Sequence, residues 1–109
     1  MNHELIDERS RQMHVLIAER LRRNPGLLRQ AKATLSRWRR TASSNVLPTY
    51  NEWEQLLDGD FEQLLSLLVS RDERATRLRQ SSPFVGEHFI SKQERLAFVR
   101  KFHSEPQSA

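Results

Sequence analysis

The chain contains no cysteine, which removes disulfides, thiolate zinc sites, iron–sulfur ligation and a cysteine nucleophile from consideration. Glycine is nearly as scarce. Gly26, Gly59 and Gly86 are the only three, and none belongs to a Gly-rich phosphate loop, a dinucleotide fingerprint or a Gly-flanked nucleophilic serine. No apolar run approaches the ~20 residues that a membrane-spanning helix needs, and Met1-Asn2-His3-Glu4-Leu5 has neither the basic nor the apolar region of a secretory signal. A soluble, cytoplasmic protein that does not use a membrane is expected. His3, His14, His88 and His103 never recur at the i, i+4 spacing of a helical zinc motif, and no carboxylate cluster accompanies them. These absences point away from an enzyme, with no catalytic residues, metal or cofactor expected. Strict apolar–polar alternation, the mark of a half-buried strand, is missing too, so an all-α fold is expected.

What is present is charge. Of 109 residues, 29% are charged and 37% apolar, with a mean hydropathy of −0.73, at the polar edge of compositions that still fold around a modest core. The net charge of +4 is laid out unevenly. Residues 1–44 hold ten Lys/Arg against four Asp/Glu, residues 45–70 hold no base and five acids (Glu52, Glu54, Asp58, Asp60, Glu62), and residues 71–109 hold eight bases against five acids. Among the 18 bases only Lys32, Lys92 and Lys101 are lysine. Arginine's planar fork suits bidentate contact with carboxylate or phosphate, so an acidic partner and nucleic acid are both open.

Leu5, Ile6, Met13, Leu16, Ile17 and Leu21 recur at helical spacing and predict one amphipathic helix over residues 3–23. Asn24-Pro25 reads as an N-cap with proline at the first helical position, opening a second helix that carries Leu27, Leu28, Ala31, Leu35 and Trp38 to about Arg40. Almost no linker separates the two, which predicts a long N-terminal helical hairpin closing Met13, Ile17 and Leu21 onto Leu28, Leu35 and Trp38. After the polar loop 41–45, Pro48 and Thr49 open a third helix with Tyr50, Trp53, Leu56 and Leu57 on its apolar face, ended by Asp58-Gly59. Asp60 caps a fourth, Phe61 to Val69, apolar on most of its circumference and expected to be the most buried. Ser70-Arg-Asp-Glu73 matches a capping box for a fifth helix to about Gln80, and Ser91-Lys-Gln-Glu94 matches another for a last helix with Leu96, Phe98, Val99 and Phe102. The expected architecture is a compact bundle of five to six helices, a single domain over 1–103 with a disordered tail over 104–109.

Three constellations invite a functional reading. Arg9-Ser-Arg-Gln-Met-His14 resembles the arginine-to-histidine motif of HEPN ribonucleases, but those families carry it late in a long bundle and here it lies in the first helix. The structural reading, an amphipathic helix containing a histidine, is preferred. The pair Phe61 to Val69 and Asp72 to Gln80 has the size of a helix-turn-helix whose second element would present Arg71, Arg74, Arg77 and Arg79 to nucleic acid, although Asp72 and Glu73 would also face phosphate. Arg79-Gln-Ser-Ser-Pro-Phe-Val-Gly86 reads as a rigid helix exit that presents Arg79 and Gln80, with Phe84 returning to the core. In the acidic segment, Tyr50, Trp53 and Glu54 are candidate contacts for a basic partner if the aromatics are exposed rather than core.

Leu78-Arg79-Gln80-Ser81-Ser82-Pro83-Phe84, together with Arg9-Ser10, His14, Ile17-Ala-Glu-Arg-Leu21, Trp38 and Trp53-Glu54, resembles a group of small uncharacterised bacterial proteins with an LRQSSPF signature followed by a capped helix. The similarity spans most of residues 8–103. Glu87-His88-Phe89 departs from the short aliphatic pair usual after Gly86, and the tail beyond Phe102 is not shared. Members are similar to proteins of toxin–antitoxin-like gene pairs. That resemblance implies an antitoxin-like module which binds and neutralises a protein partner, a toxin encoded nearby being one candidate; read from the residues themselves, the expected partner contacts are Tyr50, Trp53, Glu54, Arg79, Gln80 and Phe84. The alternative is a DNA-binding regulator using residues 71–80, and a homodimer would let a small core bury a shared helical face.

Overall fold

A helix that is apolar on most of its circumference has to be covered from several sides, and Phe61–Val69 is covered in this way. The computed structural model describes residues 3–102, so the expected tail over 104–109 and His103 lie outside the described residues. Its elements are α1 (His3–Arg23), a 3-10 turn (Pro25–Leu27), α2 (Leu28–Arg40), α3 (Leu47–Asp58), α4 (Phe61–Val69), α5 (Glu73–Arg79) and α6 (Lys92–Lys101), with no strand among the described residues. The protein is an all-helical bundle. Leu64, Leu65, Leu67 and Leu68 of α4 are buried against Ile17, Ala18 and Leu21 of α1, Trp53 and Leu57 of α3, and Ala75 and Leu78 of α5 in one core cluster. Each buried leucine contributes about 1.5–3 kcal/mol relative to exposure, so α4 is the energetic centre.

The α1–α2 junction is as tight as the sequence suggests, but α1 packs chiefly along α4 and α2 along α3. Leu21 and Leu35 share the core across α4 and α3 rather than along a two-helix seam. Asn24 does not cap α2: its side chain accepts no capping hydrogen bond, and a 3-10 turn with Pro25 in its first position leads into the helix instead.

Other boundaries follow local chemistry. Asp60 accepts from the Gln63 amide at 2.8 Å, and Ser91 and Glu94 form a reciprocal capping box. The expected box at Ser70 is corrected, because Asp72 caps α5 by accepting from the Ala75 amide at 2.8 Å. Ser70 already closes α4, its amide bonded to the Leu67 carbonyl, and its hydroxyl accepts from the Asp72 amide instead. A carboxylate at a helix N-terminus gains from the dipole as well as the hydrogen bond.

Between α5 and α6 the chain is irregular yet well packed. Pro83, Phe84, Phe89 and Ile90 are buried, and the amides of Phe89 and Ile90 both donate to the Gly86 carbonyl. Gly86 has φ of +106°, where an L side chain is strained even though an added Cβ would meet nothing within 4 Å. Gly86→Ala is therefore expected to lower the unfolding free energy by about 1–2 kcal/mol in urea titration, and an unchanged midpoint would show that this turn relaxes freely.

Candidate binding surfaces

Folding brings the acidic middle of the chain against its basic flanks. Glu52 accepts from Arg74 at 2.7 Å and from Arg77 at 3.1 Å, Glu54 pairs with Arg39 at 3.0 Å, Asp58 with Lys32 at 3.3 Å and Glu62 with Arg22 at 3.0 Å. Burial pushes the Glu52 carboxyl up, but the two arginine hydrogen bonds outweigh it and hold the group below the usual carboxylate range. Such surface pairs stabilise little, and their effect here is to decide which charges remain uncompensated. Arg74 and Arg77 are turned toward α3, Arg71 lies 3.9 Å from Glu8, and Arg79 is buried, so α5 does not present the free arginine face expected of it. Glu54 is exposed but engaged by Arg39. By contrast, Arg23, Arg29, Arg37 and Arg40 near and along α2, and Arg95 and Arg100 on α6, are exposed and make no ion pair or side-chain hydrogen bond among the described residues.

Two expected anchors belong to the core. Trp53 is 0% exposed, and its indole N–H donates to the Leu78 carbonyl at 3.1 Å, joining the Ser81 amide on that carbonyl at the end of α5. Phe84 is buried edge-to-face against both Trp53, with centroids 5.9 Å apart, and Phe89, at 5.3 Å. Neither ring is available to a partner. Tyr50 remains partly exposed beside Trp38, their centroids 5.7 Å apart, and the two line an open cleft of about 370 Å³ with Thr41, Ala42, Ser43 and Val46. Gln80 is exposed.

Arg79 is the least expected placement. It is 5% exposed, and one guanidinium nitrogen donates to the carbonyls of Leu67, Leu68 and Ser70 at 3.4, 3.2 and 2.7 Å. The Leu67 carbonyl already accepts from the Ser70 amide, so the guanidinium chiefly serves the Leu68 and Ser70 carbonyls at the C-terminal end of α4, where a cation also complements the helix dipole. Burial, then the charge of Arg11, pushes its pKa below the ordinary arginine value. Arg79 thus fastens α5 to α4 and does not present itself to a partner.

His14 is likewise consumed by structure. Nδ1 lies 2.7 Å from the Ser10 carbonyl and Nε2 2.8 Å from the Ser82 hydroxyl, which also accepts from the Phe84 amide. This pattern assigns the proton to Nδ1 and leaves Nε2 accepting from Ser82. Neither ring nitrogen is free for proton transfer. Arg9, five residues earlier, lies roughly 140° around the helix.

The last helix has the opposite character. The Glu94 carboxylate grips Arg20, with Nη1 to Oε1 at 2.8 Å, and its pKa is held down to about 2 by that arginine and then by the Ser91 amide. Lys101 donates to Gln12 at 3.0 Å, while Phe98 and Phe102 are partly buried. One side of α6 is therefore fastened to α1. The other exposes Leu96 and Val99, at 45% and 38%, on a helix that has no buried residue. No protein-family model, curated protein or solved structure matches the chain. Its surfaces have to be read from their own chemistry. Among the described residues there is no group of three metal-ligating side chains, and no helix is long and apolar enough to cross a membrane.

Proposed function

We propose that the protein is a non-enzymatic binding module that docks a protein partner on the outer face of α6, as the antitoxin-like member of a pair that neutralises that partner. The observation that carries this reading is the exposed pair Leu96 and Val99 on a helix tied down along its other side. Single exposed aliphatics are ordinary, but these two share one stripe with Lys92 and are framed by Arg95 and Arg100. An apolar ridge with basic margins complements an amphipathic helix or groove with acidic margins. Two copies of α6 would set like charges against each other, which favours a different, acidic partner over self-association.

The test is affinity capture from the native host after nuclease treatment. Wild-type protein is expected to retain one stoichiometric partner, and Leu96→Asp with Val99→Asp to lose it at least tenfold with unchanged helical circular dichroism. Val85→Asp, at a similarly exposed aliphatic outside α6, is expected to retain it. Full retention by the α6 double variant, or no partner at all, would overturn the proposal.

A further inference from the structure

Between Glu19 and Glu52 the chain carries no acid, and residues 20–51 hold eight bases. The fold brings carboxylates from elsewhere to four of them. Arg20 meets Glu94 of α6, Arg22 meets Glu62 of α4, and Lys32 and Arg39 meet Asp58 and Glu54 of α3. The other four, Arg23, Arg29, Arg37 and Arg40, are exposed and find no acid among the described residues.

Three of these four share one face. On α2 the buried residues Ala31, Thr34 and Leu35 define the inner side. By helical spacing Arg29, Arg37 and Arg40 fall within roughly 80° of one another on the opposite side and span about 16 Å of the axis, whereas Trp38 falls on the inner side. Gln30, Ala33 and Ser36 complete this outer face, and all three are exposed. It therefore offers arginine, an amide and two short side chains, with no acid and no ring. Lys32 and Arg39, paired with the acids of α3, mark its edge.

That chemistry chooses among polyanions. An acidic protein surface needs an apolar anchor at the centre of its contact, and an anionic membrane needs apolar side chains to bury, but Ala33 and Ser36 supply neither. A single strand is held largely by stacking its bases on rings, and this face presents none. A duplex keeps its bases paired and asks only for positive charge at its surface, where it offers about one phosphate charge per 1.7 Å of axis. Arginine's bidentate fork suits those phosphates.

We propose that the outer face of α2, through Arg29, Arg37 and Arg40, binds the phosphate backbone of duplex nucleic acid without reading its sequence. The short Ala33 and Ser36 let the helix lie close, so that arginines at its two ends reach separate phosphates. The free basic face of the chain is thus on α2 and not on α5, whose Arg74 and Arg77 are neutralised by Glu52. The Leu96–Val99 ridge of α6 takes no part, and the test does not depend on the protein-docking reading.

The experiment is fluorescence anisotropy on the purified full chain with a labelled 20-base-pair DNA duplex, the single strand of the same sequence, and polyglutamate as competitor, across 50–200 mM salt. The duplex is expected to bind at least threefold tighter than the single strand, and polyglutamate at equal charge to displace it at least tenfold less effectively than unlabelled duplex. Arg37→Ala with Arg40→Ala should weaken duplex binding at least tenfold and lower the slope of log affinity against log salt by about 1.8, at ~0.9 per phosphate contact. Ala33→Glu, a good helix former at an exposed position, should weaken it at least fivefold by setting a carboxylate in the middle of the face. The charge-matched pair Arg74→Ala with Arg77→Ala should stay within twofold of the wild type. The proposal is overturned if the two arginine pairs lose affinity equally, if Ala33→Glu binds like the wild type, if the single strand binds as tightly as the duplex, or if polyglutamate competes as well as duplex, which would make the face a site for an acidic protein. Thermal unfolding of each variant separates lost binding from lost fold.

Discussion

Trp53→Ala is expected to lower the unfolding free energy by about 3–5 kcal/mol, a large share of the ~5–15 kcal/mol that holds a domain of this size. Trp53 has no solvent exposure, meets Phe84 edge-to-face and donates its indole N–H to the Leu78 carbonyl. Alanine would leave a cavity where three elements converge and remove one of the hydrogen bonds to the Leu78 carbonyl, which the Ser81 amide also satisfies. Trp53→Phe separates these contributions, since it keeps most of the volume and loses the hydrogen bond, and a loss nearer 1–2 kcal/mol is expected. Urea unfolding followed by circular dichroism reads both. If Trp53 were a surface anchor, the alanine variant would unfold within about 0.5 kcal/mol of the wild type and lose only partner binding.

The misplacement of Trp53, Phe84 and Arg79 as partner contacts shows which kind of information sequence spacing carries. Features decided within one helical turn were legible: the caps at Asp60 and Ser91 depend on residues three positions away, and the burial of α4 follows from its nearly unbroken run of leucines. The Ser70 box failed within the same range because two cap candidates compete two residues apart. The one that also had to end the preceding helix lost.

Long-range partners left no trace in the periodicity. The alternation of basic and acidic segments was visible, but not that Glu52 would bind Arg74 and Arg77 across the α3–α5 contact and so withdraw them from solvent. Likewise, an arginine beside a Ser-Ser-Pro turn reads as surface until α4 is seen to end beneath it, with the Leu68 and Ser70 carbonyls within its reach. Phe89 and Ile90 entered the core through a turn at Gly86 that has no helical period to reveal it. The converse holds for α6 and α2. Their apolar and arginine-bearing outer faces were present in the sequence, but only the fold shows which bases find no acid.

Lowering the pH from 7 to 4.5 is expected to remove roughly 2 kcal/mol of stability through His14 alone. Burial, with the nearby charge of Arg79 adding to it against the opposing Ser10 hydrogen bond, brings the His14 pKa down from 6.5 to about 4. The folded state therefore binds fewer protons than the unfolded one between these values, so stability is full above 6.5 and declines as the pH falls toward 4. Protonation would also place a second N–H on Nε2 against the Ser82 hydroxyl, which now donates to it and accepts from the Phe84 amide. The Ser82 proton would then need a new acceptor, and the turn carrying Pro83 and Phe84 would have to readjust. Glu8 and Glu94, both held near 2 by arginine and further hydrogen bonds, and Glu52 and Asp72, also held down, withdraw stability chiefly below about 5.5, so the step from pH 7 to 5.5 isolates the histidine. Urea titrations at pH 7, 5.5 and 4.5 on the wild type and on His14→Gln provide the measurement. The variant is expected to start less stable and to show little pH slope, whereas an equal slope in both proteins would place the titration elsewhere.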